Sequence, residues 1–258
     1  MEKPNVVILC GGKGTRLREE TGTKPKPMVT IGDMPILWHI MKIYSHYGFN
    51  DFVLCLGYKG EVIKDFFLHR NDFSLNTRTG EKTIYEYKDK DMQDWNITFA
   101  ETGENAMTGA RIKKAERYVD TDSFFATYGD AVCDVDIGKL ASFHKKQNTV
   151  ATLTAVHPHS KWGLVKSGDN GMIEKFVEKP VLYDFVNGGF FAFQKKLFDY
   201  LDTTDNCILE ANPFSKLVLD KQFSMYKHEG FWHSMDTYKD YLDLDKLWNS
   251  GKVPWKKW

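Results

Sequence analysis

The N-terminal part of the chain alternates between short continuous apolar runs and segments with helical periodicity. Residues 5–10 and 51–56 each consist of one polar residue followed by a continuous apolar run, which is typical of strands buried on both faces. After Pro35, apolar side chains recur at helical spacing as far as Gly48, and a second helical pattern covers 61–69. The order strand, helix, strand, helix predicts a right-handed parallel α/β sheet rather than a sandwich or a helical bundle.

The rest of the sequence continues this alternation. Strands are predicted where β-branched and aromatic residues gather, and helices where apolar positions recur every three to four residues. The predicted strands are 96–100, 123–128, 149–156, 186–193 and 223–227, and the predicted helices are 111–118, 136–146, 195–201, 210–219 and 238–248. Between 162–166 and 172–177, two glycines flanking Asp169 and Asn170 predict a hairpin turn.

Two features interrupt the alternation. The segment 71–95 is polar and charged with weak periodicity, which predicts an insertion or flap, and the sequence changes character after about residue 158. No internal repeat, low-complexity tract or linker divides the chain. We therefore predict one domain over 1–258 of the α/β class, with a Rossmann-like mixed, mostly parallel sheet flanked by helices.

Composition narrows the range of partners. The 35 Lys and Arg residues balance the 35 Asp and Glu residues, so no global field favours nucleic acid or an anionic membrane. No apolar run approaches the ~18 residues needed to span a bilayer, and the N-terminal apolar run is too short for a signal segment. The four cysteines form no CxxC pair, which argues against a disulfide framework or a zinc site. We expect a cytoplasmic protein with reduced thiols and no nucleic-acid or membrane partner.

A glycine-rich segment follows the first predicted strand. In Gly11-Gly12-Lys13-Gly14-Thr15-Arg16-Leu17, the glycines allow backbone N–H groups to converge on phosphate oxygens, and Thr15 and Arg16 add donors. The segment is not a Walker A motif, because no Gly-Lys-Ser/Thr occurs at the required spacing. It is not the dinucleotide fingerprint either, because Leu17 stands where the third glycine belongs. It predicts a phosphate-binding turn, with a glycine-rich strand-to-helix turn that binds nothing as the alternative.

A basic segment follows, Lys24-Pro25-Lys26-Pro27-Met28. Each proline favours an extended conformation for the lysine before it, so Lys24 and Lys26 are expected on opposite sides. One lysine then faces the phosphate-binding turn. A solvated basic loop is the alternative.

These segments, together with Ile31-Gly32-Asp33-Met34-Pro35-Ile36, resemble the N-terminal signature of the sugar-1-phosphate nucleotidylyltransferases. Further segments extend the resemblance over nearly the whole chain and favour the cytidylyl branch of that family. They are Pro35-Ile36-Leu37-Trp38-His39-Ile40-Met41, Gly57-Tyr58-Lys59-Gly60, Met107-Thr108-Gly109, Tyr128-Gly129-Asp130, Glu178-Lys179-Pro180, Asn187-Gly188-Gly189-Phe190-Phe191, Gly230-Phe231-Trp232 and Met235-Asp236-Thr237.

The resemblance implies a fold of the nucleotide-diphospho-sugar transferase type and a reaction between CTP and α-D-glucose 1-phosphate. An oxygen of the sugar phosphate attacks the α-phosphorus in line, and CDP-glucose and pyrophosphate result. The two substrates bring about six negative charges together, and like charges ~4 Å apart repel by about 4 kcal/mol at an effective dielectric of ~20. Catalysis therefore depends on positioning and on cations rather than on covalent work by a side chain.

The resemblance also implies the site residues, carried over position by position. The expected catalytic residues are Arg16, Lys26 and Asp130. The expected nucleotide-binding residues are Leu9, Gly11, Gly12, Gly14, Thr15, Arg16, Lys26, Thr108, Arg111 and Gly129. The expected sugar-binding residues, in the portion of the domain from about residue 158, are Glu178, Lys179, Asn187 and Gly188. One Mg²⁺ is expected between Asp130 and Asp236, since this ion usually takes one or two carboxylates.

Taken singly, these residues have plainer interpretations. A lone Asp after a strand is usually a cap or turn residue, and Glu-Lys-Pro is a common surface turn. The chain also departs from the family pattern at Ala110, Ala131, Lys161 and Asn212, which leaves base and sugar identity open.

Three further expectations concern assembly, which rests on analogy, the alternative functions and the C-terminal tryptophans. A homo-oligomer is expected, with the 71–95 insertion and the aromatic C-terminus as candidate contacts. The alternative functions are the same chemistry on another sugar phosphate or nucleotide, and a catalytically silent sugar-nucleotide-binding module. The C-terminal tryptophans are expected in the core or at a subunit interface.

Overall fold

The computed structural model describes residues 3–14, 17, 21–68, 72–75, 77–80, 82–86 and 94–258, with the backbone alone at 72–75 and 82–86. The described strands are β1 Val6–Leu9, β2 Thr30–Ile31, β3 Met34–Pro35, β4 Asp51–Leu56, β5 Asp72–Leu75, β6 Lys82–Glu86, β7 Asn96–Glu101, β8 Ser123–Tyr128, β9 Ala131–Cys133, β10 Ala151–Val156, β11 Leu164–Ser167, β12 Ile173–Val177, β13 Val186–Gln194, β14 Phe223–His228 and β15 Trp232–Ser234. The α-helices are α1 Ile36–His46, α2 Gly60–Leu68, α3 Thr108–Ala115, α4 Ile137–Gln147, α5 Asn212–Leu219 and α6 Tyr238–Asn249.

The centre of the molecule is a seven-stranded sheet in the order β14-β10-β13-β8-β1-β4-β7. Strand β13 runs antiparallel to β10 and β8, while the other neighbouring pairs are parallel. The predicted mixed, mostly parallel α/β sheet is therefore confirmed. Because β8, β1, β4 and β7 run in the same direction, their carboxyl ends lie along one edge of the sheet.

Helices cover both faces of this sheet, which explains why its central strands are continuously apolar. Side chains of a strand alternate between faces. Val6 and Ile8 of β1 belong to the core cluster beneath α1 and α6, whereas Val7 belongs to the cluster beneath α3 and α5. Every side chain of the run from Val6 to Ile8 is fully buried, so no position in it can be polar without a partner.

Most predicted elements are present, but some boundaries and types differ. The helix predicted at 111–118 begins at Thr108 and ends as a short 3-10 helix, Glu116–Tyr118. The segment predicted as a helix at 195–201 forms a 3-10 helix, Lys195–Tyr200. The 71–95 segment contains the antiparallel hairpin β5–β6.

The basic segment also differs from its predicted extended shape. Lys26–Met28 forms a 3-10 helix in which the Met28 N–H donates to the Pro25 carbonyl at 2.8 Å and the Val29 N–H donates to the Lys26 carbonyl at 3.1 Å. These backbone hydrogen bonds outweigh the preference of a residue before proline for an extended conformation. The turn buries Lys26.

The aromatic C-terminus packs within its own chain. Trp255 is fully buried, with its ring 5.6 Å from that of Phe231, and the Trp258 ring meets that of Trp38 edge-on at 5.7 Å. These side chains therefore extend the core over α1, the first of the two placements expected for them. None of the described helices combines the length and the apolar composition required to cross a membrane.

Two buried histidines predict that acid destabilises this fold. Burial lowers the pKa of His39 and that of His144 from 6.5 to about 4. The unfolded chain binds these protons below pH 6.5 and the folded chain does not, so their contribution to stability is complete above pH 6.5 and is lost as the pH falls toward 4. Between pH 7.5 and pH 4.5 we expect a loss of about 2 kcal/mol per histidine in the free energy of unfolding.

Urea unfolding at both pH values measures this loss. The double variant His39→Gln/His144→Gln should lose much less stability than the wild type over the same interval, whatever its stability at pH 7.5. An equal loss in both proteins would show that other groups cause the acid sensitivity.

Candidate active site

A cavity of about 320 Å³ opens at the carboxyl ends of β1 and β8. In open α/β sheets this is the edge at which ligands bind. Its lining residues come from the glycine turn after β1, the 3-10 helix, the start of α3 and the ends of β8 and β15. They are Leu9, Gly11, Gly12, Gly14, Lys26, Pro27, Ala106, Met107, Thr108, Arg111, Tyr128, Gly129, Asp130 and Asp236.

The structure thus brings most of the predicted nucleotide-binding residues to one cavity. Leu9, Lys26, Gly129 and Asp130 line it together with Gly11, Gly12, Gly14, Thr108 and Arg111. Thr15 and Arg16 lie outside the described residues. Gly14 adopts a φ of 58°, in the left-handed region that favours glycine.

Arg111 supports the glycine turn from beneath. Its side chain is 4% exposed, and its guanidinium donates to five oxygens, all within 3.2 Å. The acceptors are the carbonyl oxygens of Gly11, Leu56, Gly103 and Glu104 and the hydroxyl of Thr102. Burial lowers the pKa of Arg111, and these acceptors offset the cost of burying its charge.

This arrangement ties three parallel strands together at the cavity edge. Gly11 follows β1, Leu56 ends β4 and Thr102 follows β7. A Cβ atom on Gly11 would clash with the guanidinium of Arg111, so residue 11 must be glycine for the contact to form. Arg111 also lines the cavity, where nucleotide binding was expected of it, so the same guanidinium holds the backbone around the cavity and forms part of its wall.

Lys26, Asp130 and Asp236 form a charged cluster in the cavity wall. The Lys26 Nζ lies 2.7 Å from Asp130 Oδ2 and 2.9 Å from Asp236 Oδ1. The lysine side chain is 11% exposed, and the aspartates are 31% and 21% exposed. Burial alone would lower the pKa of Lys26, but Asp130 and Asp236 raise it overall, so the ammonium group stays charged.

Pairing between β9 and β15 brings the two aspartates together. Ala131 and Ser234 are partners in the ladder, and the Met235 N–H donates to the Asp130 carbonyl at 2.8 Å. The Ser234 hydroxyl donates to Asp236 Oδ2 at 3.0 Å, which orients that carboxylate. A Cβ on Gly129 would lie 2.9 Å from the Leu9 carbonyl and from Pro27 Cγ, so only glycine fits before Asp130.

The donor set of this cluster suits a hard divalent cation. Mg²⁺ prefers oxygen ligands and is usually bound by one or two carboxylates together with phosphate oxygens and water. Asp130 and Asp236 each place one carboxylate oxygen against the same ammonium nitrogen. Two carboxylates that converge on one positive charge beside a cavity fit such an ion.

A second polar group lies at the start of α3. Thr108 Oγ1 donates to Glu210 Oε2 at 2.7 Å, and the Tyr128 hydroxyl donates to Glu210 Oε1. Asn187 Nδ2 donates to the same tyrosine hydroxyl at 3.1 Å, which connects β13 to this group. Of the predicted sugar-binding residues, Asn187 thus contacts a residue that lines the cavity.

The other predicted sugar-binding residues lie farther from the cavity. Glu178 and Lys179 follow β12, are exposed, and pair with each other at 3.4 Å. Neither lines the 320 Å³ cavity. Gly188 is buried, and its carbonyl accepts from Trp232 Nε1 at 2.8 Å.

Comparison with known proteins agrees with this geometry. The family model for nucleotidyl transferases matches residues 5–250. The chain belongs to the nucleotidyl transferase family. Members of this family generally use a divalent metal ion.

Relatives within the family cover the full chain. A probable glucose-1-phosphate cytidylyltransferase of Bacillus subtilis is 43% identical over 256 residues, which are 98% of this chain and 99% of the relative. A glucose-1-phosphate cytidylyltransferase of Salmonella typhi is 43% identical over 258 residues, covering 98% of each chain. A solved UDP-glucose pyrophosphorylase in complex with UDP-glucose has a TM-score of 0.70 at 15% identity, covering 97% of this chain and 100% of the other. That likeness confirms the expected fold type.

Two of the four departures from the family pattern lie within regular secondary structure, where alanine fits. Ala110 lies within α3 and Ala131 within β9, and neither has a positive φ. The strain that alanine would suffer at such a φ is therefore absent. Lys161 and Asn212 are exposed.

Two residues of the polar group at the start of α3 had no assigned role in the sequence. Tyr128 stood inside a quoted motif, but only its neighbours Gly129 and Asp130 were assigned. Glu210 was the first residue of a predicted helix, where an acidic side chain is common. Its contacts to Thr108 and Tyr128 span 102 and 82 residues of sequence, so no local signal points to them.

The five contacts of Arg111 predict a specific response to substitution. Lysine keeps the charge but lacks the planar donors that reach several carbonyls at once. We expect Arg111→Lys to lower the free energy of unfolding by about 2 kcal/mol, since hydrogen bonds to charged groups contribute about 1.5–3 kcal/mol. Urea unfolding checks this value. Arg117→Lys, at an exposed arginine of the same region, is the control and should change stability little; equal effects would refute the role of Arg111.

Proposed function

We propose that this protein transfers a cytidylyl group from CTP to α-D-glucose 1-phosphate, forming CDP-glucose and releasing pyrophosphate. The observation that carries the proposal is the Lys26–Asp130–Asp236 cluster beside a cavity lined by the glycine turn. Identity of 43% to two named glucose-1-phosphate cytidylyltransferases over 98% of the chain supports the choice of substrates.

Several groups around the cavity are proposed to bind the phosphates together. The glycine turn leaves the backbone open to the triphosphate, since a Cβ on Gly12 would meet nothing within 4 Å. Lys26 supplies positive charge from the cavity wall. Arg16, outside the described residues, is proposed as a further cation on the strength of the family resemblance.

Catalysis then rests on alignment and charge. An oxygen of the sugar phosphate attacks the α-phosphorus in line, and pyrophosphate departs on the opposite side. The attacking oxygen is already ionised at neutral pH, so no side chain has to remove a proton from it. Asp130 and Asp236 are proposed to hold one Mg²⁺, which when bound neutralises triphosphate charge and polarises the α-phosphoryl group.

The sugar is proposed to bind in the portion of the domain from about residue 158. Asn187 donates to the hydroxyl of Tyr128, which lines the cavity, and the Gly188 carbonyl accepts from Trp232. Glu178 and Lys179 are proposed to contact the hexose and its phosphate, on the strength of the family resemblance. Steady-state kinetics of Lys179→Ala with each substrate varied tests this placement.

We propose in addition that the enzyme is homo-oligomeric and cytoplasmic. The hairpin β11–β12 and its flanks expose large apolar side chains, with Trp162 at 75%, Met172 at 67% and Phe176 at 60%. A second copy of the chain is the proposed partner for this surface, and sedimentation velocity tests it. Four buried free cysteines suit a reducing compartment.

The decisive assay measures pyrophosphate release from each of the four common nucleoside triphosphates with a panel of sugar 1-phosphates. We expect CTP with glucose 1-phosphate to give the highest kcat/KM. A higher value for another pair would keep the chemistry and change the substrates. Binding of CDP-glucose without any turnover would instead indicate a silent binding module.

The proposed metal site predicts how the aspartates respond to Mg²⁺. Asp130→Asn and Asp236→Asn each remove one anionic ligand, so the Mg²⁺ concentration for half-maximal activity should rise at least about tenfold. Activity measured over a Mg²⁺ titration gives this value.

Asp205→Asn is the matched control, because Asp205 also pairs with a lysine, Lys114, at 2.6 Å but does not line the cavity. It should leave the Mg²⁺ requirement unchanged. If both cavity variants keep near wild-type turnover at limiting Mg²⁺, the metal assignment is wrong.

A further inference from the structure

The turn between β4 and α2, Gly57-Tyr58-Lys59, lies beside the glycine turn at the carboxyl edge of the sheet. The Tyr58 N–H donates to the Gly11 carbonyl at 3.1 Å. A Cβ on Gly57 would lie 2.5 Å from a guanidinium nitrogen of Arg111, so only glycine fits there. None of the three residues lines the cavity. The turn therefore packs behind the backbone that shapes the cavity wall.

Lys59 has a strained backbone within this turn. Its φ is 52°, in the left-handed region that residues other than glycine rarely adopt. Gly57 and Gly60, which adopt that region without strain, do not have a positive φ. A glycine at position 59 would avoid the strain, and the ammonium group would be lost with it. Such strain persists where surrounding contacts fix the residue.

The ammonium group of Lys59 binds the backbone that leads from the glycine turn to the 3-10 helix. Its Nζ donates to the carbonyl oxygen of Thr21 at 3.4 Å and to that of Gly22. Hydrogen bonds from a charged donor are stronger than those between neutral groups. Lys59 therefore restricts the position of the backbone at residues 21 and 22.

The side chain of Thr21 connects this backbone to the glycine turn. It is 5% exposed, and its hydroxyl donates to the carbonyl of Leu17 at 2.7 Å and to that of Gly14 at 3.2 Å. The hydroxyl has one proton, which the two carbonyls share. Gly14 lines the cavity, and Leu17 is fully buried. One hydroxyl thus contacts both ends of the segment 14–17.

We propose that Lys59 is a positioning residue, which through Thr21 holds the segment 14–17 in place to bind the triphosphate. This inference rests on the proposed function. Arg16, a proposed cation, belongs to this segment in the sequence, and Lys26 follows a few residues after Gly22. The two groups proposed to supply positive charge to the phosphates therefore stand on either side of the backbone that Lys59 holds.

Lys59→Met tests the proposal, because methionine keeps the long side chain and the strained backbone but has no ammonium group. We expect the affinity for CTP, measured by calorimetric titration, to fall at least about tenfold, since two charge-assisted hydrogen bonds are lost. The KM for glucose 1-phosphate should change less than about twofold, because the proposed sugar site lies elsewhere.

Lys64→Met is the matched control. Lys64 belongs to α2, close to Lys59 in the sequence, but its ammonium group pairs with Glu61 at 2.9 Å and with Glu101 at 2.6 Å. It does not line the cavity. This variant should leave both the affinity for CTP and the KM for glucose 1-phosphate unchanged.

Lys59→Gly separates positioning from a purely structural role. It removes the same ammonium group but relieves the left-handed strain, so its free energy of unfolding should exceed that of Lys59→Met. Both variants should nevertheless bind CTP equally weakly. If the affinity for CTP instead follows stability, with Lys59→Gly close to wild type, the proposal is wrong.

Two substitutions of Thr21 test the connection to the glycine turn. Thr21→Val keeps the shape of the side chain and loses the hydroxyl, so the affinity for CTP should fall as in Lys59→Met. Thr21→Ser keeps the hydroxyl and should retain most of the wild-type affinity. Equal affinities in the two variants would show that the hydroxyl does not hold the segment, and would overturn the proposal.

The titrations also distinguish failure of this inference from failure of the proposed function. If wild type binds CTP and Lys59→Met binds it as tightly, or loses affinity for CTP and glucose 1-phosphate equally, the inference alone fails. If wild type binds another nucleoside triphosphate more tightly than CTP, the proposed base is wrong, and the same titrations with that triphosphate test Lys59. If wild type binds no nucleoside triphosphate, both are overturned.

Discussion

The candidate site depends on one ammonium group placed between two carboxylates. Two like charges ~4 Å apart repel by about 4 kcal/mol at an effective dielectric of ~20. Asp130 and Asp236 converge because β9 pairs with β15, and a cation between them offsets the repulsion of their charges. Lys26 provides that cation at 2.7 and 2.9 Å. The 3-10 helix that carries Lys26, the ladder and the aspartates therefore form one unit.

The sequence predicted the sheet well because a buried strand is marked by the apolar character of its own consecutive residues. A run such as Val6–Leu9 is apolar throughout only when helices cover both faces, and that property is visible without a structure. The start of α3 was placed three residues late, because Met107 at its N-cap makes no side-chain capping bond. Strands β9 and β15 have three residues each, too few for a periodic pattern to reveal.

The residues of the candidate site also fall into those that the sequence could predict and those that it could not. Gly11 was predictable, since it follows a strand at the edge where ligands bind. Asp130 also follows a strand, but its role came from the family resemblance. Asp236 needed the family resemblance, because its approach to Asp130 arises from pairing between segments about a hundred residues apart. Glu210 was missed altogether, as its neighbours come from α3 and β8. Lys179 was assigned only through the family resemblance, since Glu-Lys-Pro is a common surface turn, and its exposed side chain does not line the cavity.

Arg111 and Lys26 differ in how firmly their contacts hold them, and the difference follows from the chemistry of the guanidinium and ammonium groups. The guanidinium of Arg111 is planar and remains charged, so burial against five oxygens fixes it as part of the framework. The ammonium of Lys26 is a compact charge on a flexible stem, and its partners are carboxylates that a divalent ion can also bind. If such an ion bound those carboxylates, Lys26 would keep its charge and could turn toward phosphate oxygens. A buried arginine could not make that exchange without losing the backbone contacts that shape the cavity. The fold thus places a fixed cation beneath the glycine turn and an exchangeable one at the proposed metal site.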